Sequence, residues 1–200
     1  MTRVLILHSV GLLRSALMAL LKAEGSFDVF AACWRTAWRQ EEGLRPDVCV
    51  VDLDCPGAAS LLEGGWEGPV TGTGTRLVVL ATAERPGALR KAFEARALGY
   101  VDKDGSPCRL VRAIRQVAKG ERFVDESLAF GFLEASRVPL TARELSVLAR
   151  AAEGESIAEI ARGLHLSNGT VRNYMASATR KVGARNRIDA IRISQRAGWV

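Results

Sequence analysis

Residues 47–57 read DVCVVDLDCPG. Four small or β-branched apolar residues, Val48 to Val51, run straight into Asp52, pass one leucine, reach Asp54, and stop at Cys-Pro-Gly. A continuous apolar run bounded by turn residues fits a strand covered on both faces, as in a parallel sheet. The two carboxylates at its carboxyl end are unusual for a strand apolar enough to be buried on both faces.

The neighbouring sequence repeats the theme. VLIL (4–7), VFAAC (29–33), LVVL (77–80) and GYV (99–101) read as further strands. Between them LLRSALMALLKAEG, RTAWRQEEG, PGALRKAFEARALG and PCRLVRAIRQVAKG carry helical spacing or helix formers, several closing on a glycine. Alternation of this kind predicts βαβ units, a parallel sheet and helices on both faces. Between the third and fourth strands, GAASLLEGGWEGPVTGTGTR predicts a short helix and then a glycine-rich loop. Its TGTGT lacks the spacing and lysine of a phosphate-binding loop.

Composition bounds the function. The chain has 200 residues, a net charge of +6 and four cysteines. Cys33, Cys49, Cys55 and Cys108 show no C-x-x-C spacing, so they read as reduced thiols. No apolar run approaches the roughly 20 residues of a membrane span, and no signal peptide is legible, which predicts a cytoplasmic protein. The charge is unevenly placed: residues 165–200 hold seven Lys/Arg (Arg172, Arg180, Lys181, Arg185, Arg187, Arg192, Arg196) against Asp189 alone, leaving the first 164 residues balanced. A basic end on a neutral body predicts a polyanion partner.

After Pro139 the strand pattern ceases and four short helices follow. Thr141 and Glu144 form a capping box, with Leu140 and Leu145 placed as a staple; Ser156 and Glu159 form a second box. Ser167 caps a third helix, and Asn186 with Asp189 opens a fourth. The tight connection at 164–167 predicts a helix-turn-helix. On its second helix Val171, Met175, Ala178 and Val182 make the core stripe, while Arg172, Asn173, Ala176 and Arg180 face outward with Asn168 and Thr170 at the N-terminus. Arg172 and Asn173 suit base edges in double-stranded DNA; Arg180, Lys181, Arg185 and Arg187 suit phosphates.

LTARELSVL, EGESIAEIA and LSNGTVRNYM make residues 138–200 similar to the LuxR-type DNA-binding domain of FixJ/NarL response regulators. GTVRNY, GARNR and RAGWV resemble its DesR-like branch. The resemblance implies that the fourth helix forms a homodimer contact, through Ile188, Ile191 and Gln195. It also implies that residues 1–120 are a flavodoxin-like, doubly wound receiver with strand order 2-1-3-4-5, joined to the helical domain by a connector over 121–137 with a helical stretch around DESLAFGFLEA.

A receiver takes a phosphoryl group on an aspartate ending the third strand, which maps to Asp52. Thr82 and Lys103 match its hydroxyl and lysine. The match fails at the first strand, where the family carries an acidic pair for Mg²⁺ and this chain has His8 and Ser9. Mg²⁺ wants oxygen ligands in octahedral geometry, which an imidazole does not supply; Asp54, two residues along from Asp52, is the candidate carboxylate to stand in. The expectation is an atypical receiver with impaired or absent Mg²⁺-dependent phosphorylation, no resident metal or cofactor, Lys103 paired with Asp52, and control that is constitutive or exerted by a small molecule, for which His8, Trp34, Trp38 and Trp66 are candidate lining. A conventional regulator phosphorylated at Asp52 by a sensor kinase is the alternative. A D-x-D phosphohydrolase is a remote one, since that motif opens its domain on the first strand and needs further acids downstream. The chain is therefore expected not to be an enzyme.

Overall fold

The computed structural model describes residues 1–33, 45–58, 62, 74–135 and 138–200. The expected helix over 35–43, most of the glycine-rich connection after residue 58, and Trp34, Trp38 and Trp66 lie outside these. Two compact units are present, residues 1–83 with 88–132, and residues 84–87 with 133–200. Among the described residues no helix is long and apolar enough to cross a membrane.

The first unit is built on a parallel sheet of β1 (Thr2–Leu7), β2 (Phe27–Ala32), β3 (Val48–Asp52), β4 (Arg76–Ala81), β5 (Gly99–Asp102) and β6 (Phe123–Val124), in the order 2-1-3-4-5-6. The order expected for the first five strands holds, and β6 extends the sheet from the stretch read as a connector, pairing with Gly99 and Tyr100. Every residue of β3 is buried. Alternation sends Leu5, Leu7, Cys49, Val51, Leu77 and Val79 into one apolar layer and Val4, Ile6, Val48, Val50, Val78 and Leu80 into the other. The first layer is covered by α2 (Pro86–Glu94), through Ala88, Leu89 and Ala92. The second is covered by α1 (Gly11–Ala23) and α3 (Pro107–Ala118), through Leu21, Leu110, Ile114 and Val117. Each fully buried aliphatic side chain contributes about 1.5–3 kcal/mol of transfer free energy. Gly99 is required by this packing, because a Cβ there would stand 2.8 Å from Val78 Cγ2 and 3.0 Å from Val117 Cγ2. After β6 a 3₁₀ turn (Glu126–Leu128) leads into α4 (Ala129–Ala135), within the expected helical stretch.

The second unit contains α5 (Ala142–Ala152), α6 (Ile157–Leu164), α7 (Asn168–Lys181) and α8 (Arg187–Arg196). All four caps legible in the sequence form: both capping boxes are complete, Ser167 Oγ accepts from Thr170 N, and Asn186 Oδ1 accepts from Asp189 N. The turn between α6 and α7 bends at His165, which sits in the left-handed region at φ 54°, a conformation histidine tolerates better than bulkier residues. Val171, Met175 and Ala178 of α7 are buried against Val147, Leu148, Ile160 and Ala190.

Candidate functional site

The parallel sheet brings the carboxyl ends of β1, β3, β4 and β5 together. Asp52 closes β3, His8 follows β1, Thr82 follows β4 and Lys103 follows β5. Asp52 is only 8% exposed and His8 3%. The Asp52 carboxylate is met on both oxygens by the protein. His8 Nε2 lies 3.2 Å from Oδ2, and His8 Nδ1 accepts from Val10 N at 3.0 Å, so the ring proton sits on Nε2 and is donated to Asp52. On the other side Asp54 N donates to Oδ1 at 2.8 Å. Arg14 fixes the turn by donating to the His8 carbonyl at 2.8 Å.

The remaining expected residues are placed less simply. Lys103 does not pair primarily with Asp52: its closest partner is Asp54, with Asp52 Oδ1 3.7 Å from the ammonium. Asp54 projects toward that ammonium, whereas Asp52 is occupied by His8. Ser9 turns to a residue that sequence reading left as an ordinary thiol. Its N–H and hydroxyl both donate to Cys55 Sγ, at 3.3 and 3.2 Å. Cys55 was marked only by its position three residues after Asp52, which the turn bond from Cys55 N to Asp52 O, 3.1 Å, makes structural.

These donors do not fit Mg²⁺. The first-strand end offers imidazole nitrogen and a hydroxyl aimed at sulfur, and the Asp54 carboxylate is held by Lys103, so the first strand supplies none of the anionic oxygens that Mg²⁺ prefers. Beside the pocket, between α1 and α3, opens a cavity of about 430 Å³ whose apolar wall includes Leu17, Leu20, Val101 and Leu110 and whose polar lining includes His8, Asp52, Asp102, Lys103 and Asp104.

In the second unit α7 exposes Asn168, Arg172, Asn173, Ala176 and Arg180 on one face. Thr170 is half-buried, its hydroxyl 2.9 Å from Ser167 Oγ. Lys181, expected as a phosphate contact, has an ion-pair partner within its own domain. It closes onto Glu144 Oε2 at 2.8 Å, because the buried Glu144 carboxylate needs a countercharge. Ser177 Oγ, Thr141 N and Thr141 Oγ1 complete its shell at 2.7, 2.7 and 2.9 Å. Burial alone would raise the Glu144 carboxyl, but the Lys181, Thr141 and Ser177 donors outweigh it and hold it at about 2. Arg187 donates to the Glu155 carbonyl at 2.8 Å, and Arg185 leans on Asp189 at 3.5 Å while its side chain stays largely exposed. On α8, Ile188 is 78% exposed, Gln195 is exposed and Ile191 is half-buried.

Residues 138–194 match the family described as bacterial regulatory proteins, luxR family. Over its full length the chain is 52% identical to the response regulator RamR of Streptomyces coelicolor, covering 98% of that protein. It is 39% identical to the transcriptional regulatory protein DesR of Bacillus subtilis, over 78% of this chain and 76% of that one. Among solved structures, RcsB of Salmonella enterica serovar Typhimurium, bound to promoter rprA, shares the fold with a TM-score of 0.64 at 22% identity over all of both chains.

Proposed function

The chain belongs to the LuxR-type response regulators, the DNA-binding transcription regulators of two-component systems, and from that premise we propose that its receiver is not driven by Mg²⁺-dependent phosphorylation of Asp52. One observation carries the reading: both oxygens of Asp52 are hydrogen-bonded by the protein, one by His8, at a pocket whose other donors do not suit Mg²⁺. A phosphoryl donor brings further negative charge to a carboxylate that already has Asp54 nearby, and a hard dication is what normally offsets it. Without that ion the His8–Asp52 pair holds the pocket in one state. Control then falls to constitutive dimerisation or to a small molecule in the cavity beside α1 and α3, which has the size and apolar wall of a ligand site.

On the DNA side, α7 lies in the major groove, Arg172 and Asn173 meet base edges, and Asn168 and Thr170 meet a phosphate at the helix N-terminus. Ala176 allows close approach, and Arg180, Arg185 and Arg187 hold the backbone. Lys181 serves the fold of the domain instead. Ile188, Ile191 and Gln195, spaced to share one face of α8, form the homodimer contact. The protein acts in the cytoplasm and is not an enzyme, a reading supported by its similarity to a response regulator and to a transcriptional regulatory protein.

Intact mass after incubation with acetyl phosphate and Mg²⁺ tests the receiver reading. The expected result is no addition. Stoichiometric gain of one phosphoryl group, lost in Asp52→Ala, overturns it and restores the conventional reading, in which Asp52, Thr82 and Lys103 work as in a kinase-driven receiver.

A further inference from the structure

The same pocket that suits Mg²⁺ poorly is well composed for a different ion. His8 Nε2, a carboxylate oxygen of Asp52 and Cys55 Sγ all lie within 4.8 Å of one another, and all three residues are buried. We propose that these three residues bind a borderline-soft divalent ion of the zinc class; the proposal rests on the reading that Mg²⁺ is not resident here. Nitrogen, sulfur and a single carboxylate are the donors that select such ions over Mg²⁺. A tetrahedral ion with bonds of about 2.0–2.3 Å sets its ligand atoms roughly 3.3–3.8 Å apart. The His8 Nε2–Asp52 Oδ2 separation, 3.2 Å, already matches that edge. The sulfur needs to move in by no more than about 1 Å.

Two further features point the same way. Asp52 and Cys55 are spaced i, i+3 on one hydrogen-bonded turn, so a short segment presents two ligands together, and His8 arrives from the adjacent strand. Ser9 aims both its N–H and its hydroxyl at the sulfur, the outer-shell bonding that orients and tunes a metal-bound ligand. A carboxylate and a thiolate together neutralise a dication, which removes the cost of an unbalanced buried charge. Three protein ligands leave a fourth position for solvent.

Binding must move protons in a defined way. Cys55 loses its thiol proton to solvent. His8 must free Nε2, so its ring proton passes to Nδ1, which stops accepting from Val10 N. One proton is released per ion. Val10 is the N-cap of α1, so the loss of that bond reaches the start of α1. One hydrogen bond lost is small beside three metal bonds gained.

Cobalt(II) is the probe. Reduced, chelator-stripped full-length protein is titrated with Co²⁺ and followed by absorption. The expected result is one equivalent bound, with tetrahedral ligand-field bands and a thiolate-to-cobalt charge-transfer band, displaced by stoichiometric Zn²⁺ but not by excess Mg²⁺. Cys55→Ala and His8→Ala should each weaken binding about 100-fold or more, since even outer-shell losses cost 10–100-fold, while Cys108→Ala should leave the band intact. No binding, a charge-transfer band that survives Cys55→Ala, or displacement by Mg²⁺ as readily as by Zn²⁺ overturns the site. X-ray absorption of the zinc-loaded, unsubstituted chain reads the ligands without any variant: one sulfur at about 2.3 Å with nitrogen and oxygen supports it, and a shell of nitrogen and oxygen alone overturns it. Phosphorylation of Asp52 in Mg²⁺ sinks the reading on which the site rests; a protein neither phosphorylated nor cobalt-binding sinks the site alone.

Discussion

Glu144→Gln should loosen the DNA-binding unit by about 2 kcal/mol. The Glu144 carboxylate ties α5 to α7 by accepting from Lys181 Nζ and Ser177 Oγ, while also accepting from Thr141 at its own helix start. Glutamine keeps one acceptor oxygen and turns an amide NH₂ toward groups that are themselves donors. The charged bond to Lys181 is worth about 1.5–3 kcal/mol when fully dry, but the Lys181 side chain is 38% exposed, so solvent screening brings it to about 1 kcal/mol. One further donor, from Ser177 or Thr141, loses its acceptor at about 1 kcal/mol. Hydrogen exchange of α7 amides in the full-length chain reads the sum as exchange faster by about 30-fold. Exchange altered by less than about threefold, or altered in α5 but not α7, refutes the argument that this carboxylate fastens the two helices.

The same group gives an acid limb. Its folded pKa, about 2, lies below the ordinary value of 4.5, so its contribution is complete above about 4.5 and is lost as pH falls from there toward 2. The difference in α7 protection between the unsubstituted chain and Glu144→Gln should therefore shrink over that interval. A difference that stays constant down to the bottom of it assigns the acid sensitivity to other carboxylates.

Arg172→Ala should cost about 1–3 kcal/mol and flatten base preference, whereas Arg180→Ala should weaken all duplexes alike and lower the salt slope of binding by about 1; identical behaviour in a fluorescence-anisotropy series contradicts the roles given to the two. Lys181→Ala should lower stability while leaving that salt slope unchanged, and a slope reduced by about 1 would return Lys181 to the phosphate contacts. Gly99→Ala should destabilise the receiver unit by about 1–3 kcal/mol in urea melts, since the added methyl meets two branched valines rather than a yielding side chain; an unchanged midpoint contradicts that packing. Tyr100 is buried with its hydroxyl unpartnered among the described residues, and burial, opposed in part by Arg122, pushes its pKa to about 12. Tyr100→Phe should thus be neutral or stabilising by up to about 1 kcal/mol, and a loss of that size in the same melts reveals a bond the hydroxyl was making.

What the chain discloses about itself follows the range of the forces involved. β3 was legible because a strand covered on both faces must be apolar throughout, and the four caps of the second unit because each is closed within three residues. The core stripe of α7 was legible for the same local reason, helical periodicity. β6 was not: two residues, one half-buried and one exposed, carry no period, and they join the sheet through backbone bonds that any sequence could make. The site shows the boundary most clearly. His8 and Ser9 could be seen to replace acids, but what each then binds lies 44 and 46 residues away, in a turn whose Cys55 looked ordinary by itself. The Lys181 pairing was hidden for a like reason, since its partner Glu144 lies 37 residues earlier and had a sufficient local role in the capping box. A substitution at one strand end is therefore only half an observation. Its meaning depends on the group across the sheet, and here the imidazole found a carboxylate and the hydroxyl found a sulfur, so the loss of two acids left a pocket with different donors rather than an empty one.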